Sequence, residues 1–289
     1  MTGRTLFFVV LLCCGGSLAI AGGDAARPVF RFGLTPVVLH ENTNIYVQLE
    51  RYLGKAMGLP VKAVQRGTYA QIMDALKSGE VEAAWVCGLP YTRNASWLHL
   101  VAVPLNGFDN NKPLYRSLII TSNENVHSLT DLRGRVYAFS DPDSNSGHLV
   151  PEYLLHRRGS RPDLFFRAFF FTNSHRKVVR AVSAGLADGG SVDSYVFHAL
   201  QKDEPELTRH VRVIETSEEF AFPPVVAPKK ADSGRIGAFQ RALLGMRDSR
   251  QGRRLLHQLH LAGFTRGRPE MFASIQAMDR EVFTLAVSR

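Results

Sequence analysis

The segment Ser140-Asp-Pro-Asp-Ser-Asn-Ser-Gly-His-Leu-Val-Pro151 carries the residue types best suited to chemistry. It follows a strand-like apolar run, 135–139, and opens an amphipathic helix whose apolar positions are Leu149, Leu154 and Leu155. Ser144, Asn145 and Ser146 fall in the first turn, where a helix leaves its backbone N–H groups without internal partners. Short hydroxyl and amide side chains keep those donors open, and the helix dipole favours negative charge at that end. A tetrahedral oxyanion fits such a place. The same residues also make an ordinary helix cap behind a Pro-Asp turn, and the segment alone leaves the two readings level.

Around this segment a short apolar run is repeatedly followed by a helical pattern, the signature of an α/β fold. Residues 29–34 read as a first strand. Ile45, Leu49 and Leu53 recur at four-residue spacing and predict a helix ending near Gly58-Leu59-Pro60. Further strands are expected over 61–64, 83–86, 118–121, 136–139, 168–171, 211–214 and 225–227, with a strand or turn at 188–191. Helices are expected over 69–76, from Ser174-His175 to Ala184-Gly185, through Tyr195, Val196 and Leu200, and over 237–246 and 252–261. The chain passes between two α/β units near 117–121 and again near 222–226. That implies a discontinuous first lobe, 28–118 plus 226–289, and an inserted second lobe, 119–225. The polar clusters after Val86, Phe139 and Phe171 then lie at the carboxyl ends of strands, where α/β sheets bind ligands.

Arg4, the apolar run 6–12 and Ala19-Ile20-Ala21 together predict a cleavable secretory signal peptide over residues 1–21, too short and too glycine-broken for a membrane span. A lipidated Cys13 or Cys14 is the less favoured reading, because the residue before each is not the usual small one. Loss of the leader leaves Cys87 alone of the three cysteines, so no internal disulfide is available and the core must hold the fold. With 35 Lys and Arg against 26 Asp and Glu, the net charge is +9. These cations are scattered, with no basic run and no basic–aromatic interleaving, and nucleic acid is not expected as a partner. A small anion gains from the same field.

Six stretches, in order, carry a resemblance: Arg66-Gly-Thr-Tyr-Ala70, Ala84-Trp-Val-Cys-Gly-Leu-Pro-Tyr91, Asp131-Leu-Arg-Gly-Arg135, Ala138-Phe-Ser-Asp-Pro-Asp-Ser-Asn-Ser-Gly147, Ser174-His175 and Ala187-Asp-Gly-Gly-Ser-Val-Asp-Ser-Tyr195. The chain resembles the phosphate/phosphonate-type periplasmic substrate-binding proteins of ABC importers, a branch of the type II periplasmic binding proteins. The resemblance implies a two-lobe α/β fold, each lobe a mixed sheet flanked by helices, with a hinge between them. It implies a periplasmic protein, monomeric and without cofactor or metal, that binds an oxyanion of the phosphate, phosphite or phosphonate class and serves an ABC permease. Ser144, Asn145 and Ser146 would grip the oxyanion, with Tyr69, Tyr91 and His175 lining the cleft. Asp193 would read a proton on the ligand. Tyr195 sits near the place where binders of aminoalkyl ligands carry an acid, and a phenol does not supply that counter-charge.

Each residue also has a plainer reading: Tyr69 as a packing ring, Tyr91 as a rim aromatic, His175 as a helix start and Asp193 as an exposed helix residue. Cys87 is suited either to a small core position or, as in arsenite-sensing relatives, to a soft metalloid ligand that would make the chain a sensor for a membrane histidine kinase. Ser146, His175 and Asp193 supply the residue types of a hydrolase, but there is no Gly-x-Ser-x-Gly elbow and an enzyme is not expected. The remaining histidines lack zinc-site spacing.

Overall fold

The apolar runs fold into two separate sheets. The computed structural model describes residues 29–35 and 43–287, so the expected signal peptide with Cys13 and Cys14 lies outside the described residues. The strands are β1 (Phe30–Leu34), β2 (Val61–Gln65), β3 (Ala83–Trp85), β4 (Leu98–Asn106), β5 (Leu114–Thr121), β6 (Val136–Phe139), β7 (Ala168–Phe171), β8 (Gly189–Asp193), β9 (Arg212–Ala221), β10 (Val225–Pro228) and β11 (Leu261–Thr265). The helices are α1 (Thr43–Met57), α2 (Tyr69–Ser78), α3 (Gly88–Arg93), α4 (Val150–Arg157), α5 (Pro162–Phe165), α6 (His175–Ser183), α7 (Ser194–Asp203), α8 (Pro205–Thr208), α9 (Ser233–Leu244), α10 (Arg250–Gln258) and α11 (Ala273–Val287).

One sheet has the order β11-β4-β10-β3-β1-β2 and the other β7-β6-β8-β5-β9. In the first, β3, β1 and β2 are parallel while β10, β4 and β11 join antiparallel. The second repeats the scheme: β7, β6 and β8 are parallel, and β5 and β9 antiparallel. Each sheet with its helices forms a lobe, here lobe 1 and lobe 2. We place the lobe boundaries between β4 and β5 and between β9 and β10. The two crossing segments are tied together, because Phe222 N–H donates to Pro113 O at 2.8 Å. Trp85 Nε1 donates to Pro223 O at 2.8 Å, so the largest ring under the first sheet anchors the return crossing.

The local chemistry that sets the helix starts also sets the site. Thr68 caps α2 by accepting Gln71 N–H, which fixes Tyr69 as the first helical residue. Asp193 caps α7 through the N–H groups of Tyr195 and Val196. Helix α6 lies hard against β8: a Cβ at Gly190 would stand 2.5 Å from Val178 Cγ1 and 2.9 Å from Ala138 O. That close approach holds His175, the first residue of α6, beside the end of β8.

Several elements differ from expectation, among them the short helices α3, α5 and α8 and the length of β9. The turn at 145–149 is a π-helical turn, one residue wider than an α turn, before α4 begins at Val150. Strand β4 was obscured by Pro104, which the ladder tolerates opposite Phe264. The helix expected over 252–261 stops at Gln258, and the unforeseen strand β11 follows, where His260 (φ 49°) and Gly263 (φ 148°) leave helical geometry. Helix α11 was not anticipated at all.

Gly190→Ala should destabilise the chain by about 2 kcal/mol through overpacking between β8 and α6, read as a lower urea midpoint with an unchanged slope. A midpoint equal to the parent's would show that α6 is free to move away.

Candidate functional site

The Ser140–Gly147 turn lies between the two lobes, and its polar residues other than Asp143 are almost wholly buried. Ser140, Asp141, Ser144, Asn145 and Ser146 are each at most 2% exposed. Buried polar atoms normally find partners, and the exceptions call for explanation. Three side-chain atoms in this short turn have none: Ser140 Oγ, Asn145 Oδ1 and Ser146 Oγ. The backbone donors are less open than the sequence suggested. Ser144 N–H goes to Asp141 O, Asn145 N–H to Cys87 Sγ at 3.3 Å, and Gly147 N–H to Ser144 Oγ at 3.0 Å. Of the three amides expected to be free, that of Ser146 alone has no acceptor among the described residues.

Side chains from both lobes converge on this turn. Tyr69 Oη is 3.5 Å from His175 Nε2, across the lobes. Asp193 N–H donates to His175 Nδ1 at 3.2 Å, so in the neutral ring the proton sits on Nε2, facing Tyr69. Burial pushes the His175 pKa down to about 3, which keeps the ring neutral. Tyr69 is held well above the ordinary phenol range by burial and then by the nearby Cys87, Asp141, Asp193 and Tyr115. It is therefore a neutral O–H donor. Gly147 is required here, because a Cβ would stand 1.8 Å from Ser140 Oγ and 3.0 Å from His175 Cε1.

Sequence reasoning missed several members of this cluster. Tyr115 Oη accepts Asn145 Nδ2–H at 2.9 Å and is kept neutral by burial, so its own proton remains to be given. Ser146 Oγ lies close to that hydroxyl without hydrogen-bonding geometry. Ser117 Oγ donates to Ser146 O at 2.6 Å and Ser191 Oγ to Gly147 O at 2.9 Å, bracing the turn from β5 and β8. The period of two along a strand puts Tyr115 with Ser117 and Ser191 with Asp193 on one face, and that signal was available.

Other expected residues have different duties. Tyr91 packs edge-on against Phe272 with ring centroids 4.9 Å apart. Tyr195 Oη donates to Leu259 O at 2.5 Å and its ring rests on Phe222, so its hydroxyl is spent in the core. Asp193 is 1% exposed rather than an open helix residue; Oδ1 caps α7, and burial pushes its pKa up to about 7. Cys87 is buried, its sulfur accepts the Asn145 N–H, and burial raises its pKa to about 11, so it is a thiol and not a thiolate. No group of three His, Cys, Asp or Glu side chains suited to a metal exists among the described residues. His175 Nδ1 meets the Asp193 backbone N–H, where a hydrolase triad would need a carboxylate.

The cluster thus offers neutral donors (Tyr69, Tyr115, Ser140, Ser146 and His175) with acceptors Asn145 Oδ1 and Asp193, and no Lys or Arg among them. Two α/β lobes with this polar cluster between them have the architecture of a type II periplasmic binding protein. Solved structures agree on the fold. A binding protein component of an ABC phosphonate transporter from Pseudomonas aeruginosa superposes with a TM-score of 0.83 at 20% identity, covering 91% of this chain and 89% of that one. PhnD1 from Prochlorococcus marinus in complex with methylphosphonate gives 0.78 at 17% identity, over 88% and 98% of the two chains. In sequence, the probable ABC transporter phosphite binding protein PhnD1 of Prochlorococcus marinus is 22% identical over 63% of each chain. The chain spans less than two thirds of the length of the curated relatives it matches. Residues 32–272 match the model of the ABC transporter phosphonate periplasmic substrate-binding proteins, and the chain belongs to that family.

Asp193 and His175 give the site a testable titration signature. Burial raises Asp193 from 3.8 to about 7, so over that range the folded chain keeps a proton the unfolded chain has lost, and stability falls as pH rises. Burial lowers His175 from 6.5 to about 3, so the unfolded chain takes a proton the folded one refuses, and stability falls as pH drops below 6.5. The two slopes oppose each other between 3.8 and 6.5. Removing the first by Asp193→Asn should leave unfolding free energy climbing with pH there, on the order of 1 kcal/mol per pH unit more steeply than in the parent. Urea titrations across that range that run parallel for both proteins would contradict the assignment.

Proposed function

We propose that the chain captures a phosphite- or phosphonate-class oxyanion in this inter-lobe cage and presents it to an ABC permease. The observation carrying this reading is the set of three unpartnered, buried polar atoms in one turn, Ser140 Oγ, Asn145 Oδ1 and Ser146 Oγ. Leaving such groups unmade costs about 1–3 kcal/mol each, a cost that a ligand with several oxygens removes. The neutral phenols, hydroxyls and the Nε2–H of His175 donate to bare oxygens. Asn145 Oδ1 accepts, so it selects a ligand that still carries an O–H. Below about pH 7 a protonated Asp193 adds no repulsion; above it the carboxylate opposes the anion, and affinity falls.

Among the described residues the cluster is built of uncharged donors, which suits a singly charged guest. The engagement of Tyr195 Oη with Leu259 O removes the group nearest the expected amine position, which favours ligands without an amine. A relative is named as a phosphite-binding protein and a structural neighbour holds methylphosphonate, and both agree with this class. The chain acts as a monomer in the periplasm, and the cage has no nucleophile–base pair for turnover. With Cys87 a protonated thiol engaged by the Asn145 amide, a metalloid-sensing role has no support in this geometry.

Calorimetry with phosphite, methylphosphonate, phosphate, 2-aminoethylphosphonate and sulfate tests the reading. Phosphite or methylphosphonate should bind, 2-aminoethylphosphonate more weakly, and none should be hydrolysed. Ser146→Ala should weaken the best ligand about tenfold while leaving the ligand-free melting temperature close to the parent's. Binding of none of the five, or equal affinity in Ser146→Ala, would remove the Ser140–Gly147 turn as the site.

A further inference from the structure

The turn that forms the cage is also held to lobe 1 by groups that the cage does not use. Tyr69 N–H, at the start of α2, donates to Asp141 Oδ2 at 3.2 Å. Arg93 Nη1, at the end of α3, donates to Asp143 Oδ1 at 2.9 Å. Neither bond is free to wander. The other oxygen of Asp141 accepts Asp143 N–H at 2.9 Å, which locks the two acids together around Pro142. Arg93 is fixed from behind by Asp279 of α11, with Nε to Oδ2 at 3.1 Å and Nη2 to Oδ1 at 2.8 Å. Helix α11 packs against α3 of lobe 1 and against α4 and the π turn of lobe 2, and Arg157 of α4 reaches Glu281 at 3.6 Å.

Two carboxylates of lobe 2, three residues or fewer from Ser144, therefore meet one backbone donor and one guanidinium of lobe 1. Their attraction does not depend on a guest. We propose that Asp141 and Asp143 are positioning residues: a carboxylate clasp, with Arg93 and the α2 start as its seats, that draws the binding turn onto lobe 1 and biases the chain toward the closed form before any oxyanion enters. The affinity seen for a ligand scales with the fraction of chain already competent to hold it, so the clasp sets affinity without touching the guest. The Asp141 bond is buried and charge-assisted and is the stronger half. The Arg93–Asp143 pair is partly open to solvent and contributes less.

This inference rests on the proposed binding role for the effect on affinity, but the closure itself is measurable without ligand. Spin labels at exposed positions 77 (lobe 1) and 186 (lobe 2) report the inter-lobe distance in the ligand-free chain. The parent should show a closed population, and Asp143→Ala and the double variant D141A/D143A should shift it progressively to longer distances. Asp143→Glu, which can still reach Arg93, should restore it. For methylphosphonate, Kd should rise about threefold in Asp143→Ala and roughly tenfold in the double variant, mostly through faster dissociation. A parent that is wholly open without ligand, or distances that the substitutions leave unchanged, would overturn the clasp. Asp143→Ala, which breaks one half-exposed ion pair, decides the matter if the double variant fails to fold. Failure of every oxyanion to bind would count against the proposed function, while the ligand-free distances would still judge the clasp.

Discussion

The structure turns on the desolvation of one polar turn. Residues 140–147 carry more hydrogen-bonding atoms than the protein around them satisfies, yet they are shut between two sheets. Such a segment is tolerable only if its backbone is held by neighbours. The serines of β5 and β8 take the carbonyls of Ser146 and Gly147, the thiol of Cys87 takes one amide, and Ser144 caps its own turn. What is left over is a small, defined set of hydroxyls and one amide oxygen. These atoms, rather than a charged side chain, are what the turn has to offer to a ligand.

The α/β alternation was legible because each strand of the parallel trios is a short apolar run and each crossover helix shows four-residue spacing. The return near Phe222 falls where the pattern of units restarts, but the first lobe was expected to run to 118, whereas all of β5, from Leu114, pairs in the second sheet, because its partners β8 and β9 are distant in sequence. Elements that depend on distant partners were not legible. Strand β4 is acceptable with its proline only because β11 lies opposite, and β11 exists only because His260 and Gly263 leave helical geometry. Helix α11 covers α3 so closely that a Cβ on Gly88 would stand 2.6 Å from Ile275 Cδ1, a fact no local pattern carries.

The site was partly legible. The serine-rich turn, Tyr69 and His175 were found, and they do meet. The free amides were overestimated because the acceptors for Ser144 and Asn145, a carbonyl formed by the turn itself and a thiol 58 positions away, are set by tertiary structure. Tyr91 and Tyr195 matched a motif in type and position, but their rings serve the core against Phe272 and Phe222. Strand alternation places Tyr115 on the face of Ser117, but its meeting with Asn145, 30 positions away, is set by tertiary structure and carries no local mark.

The cage of uncharged donors divides the electrostatic work of the molecule in two. The net charge of +9 acts at long range, where dissolved ions screen it, and so governs how often an anion arrives. A guest enclosed by the proposed cage would be held by oriented dipoles a hydrogen bond away, which counterions do not reach. Under that proposal ionic strength would throttle capture while leaving residence time almost untouched.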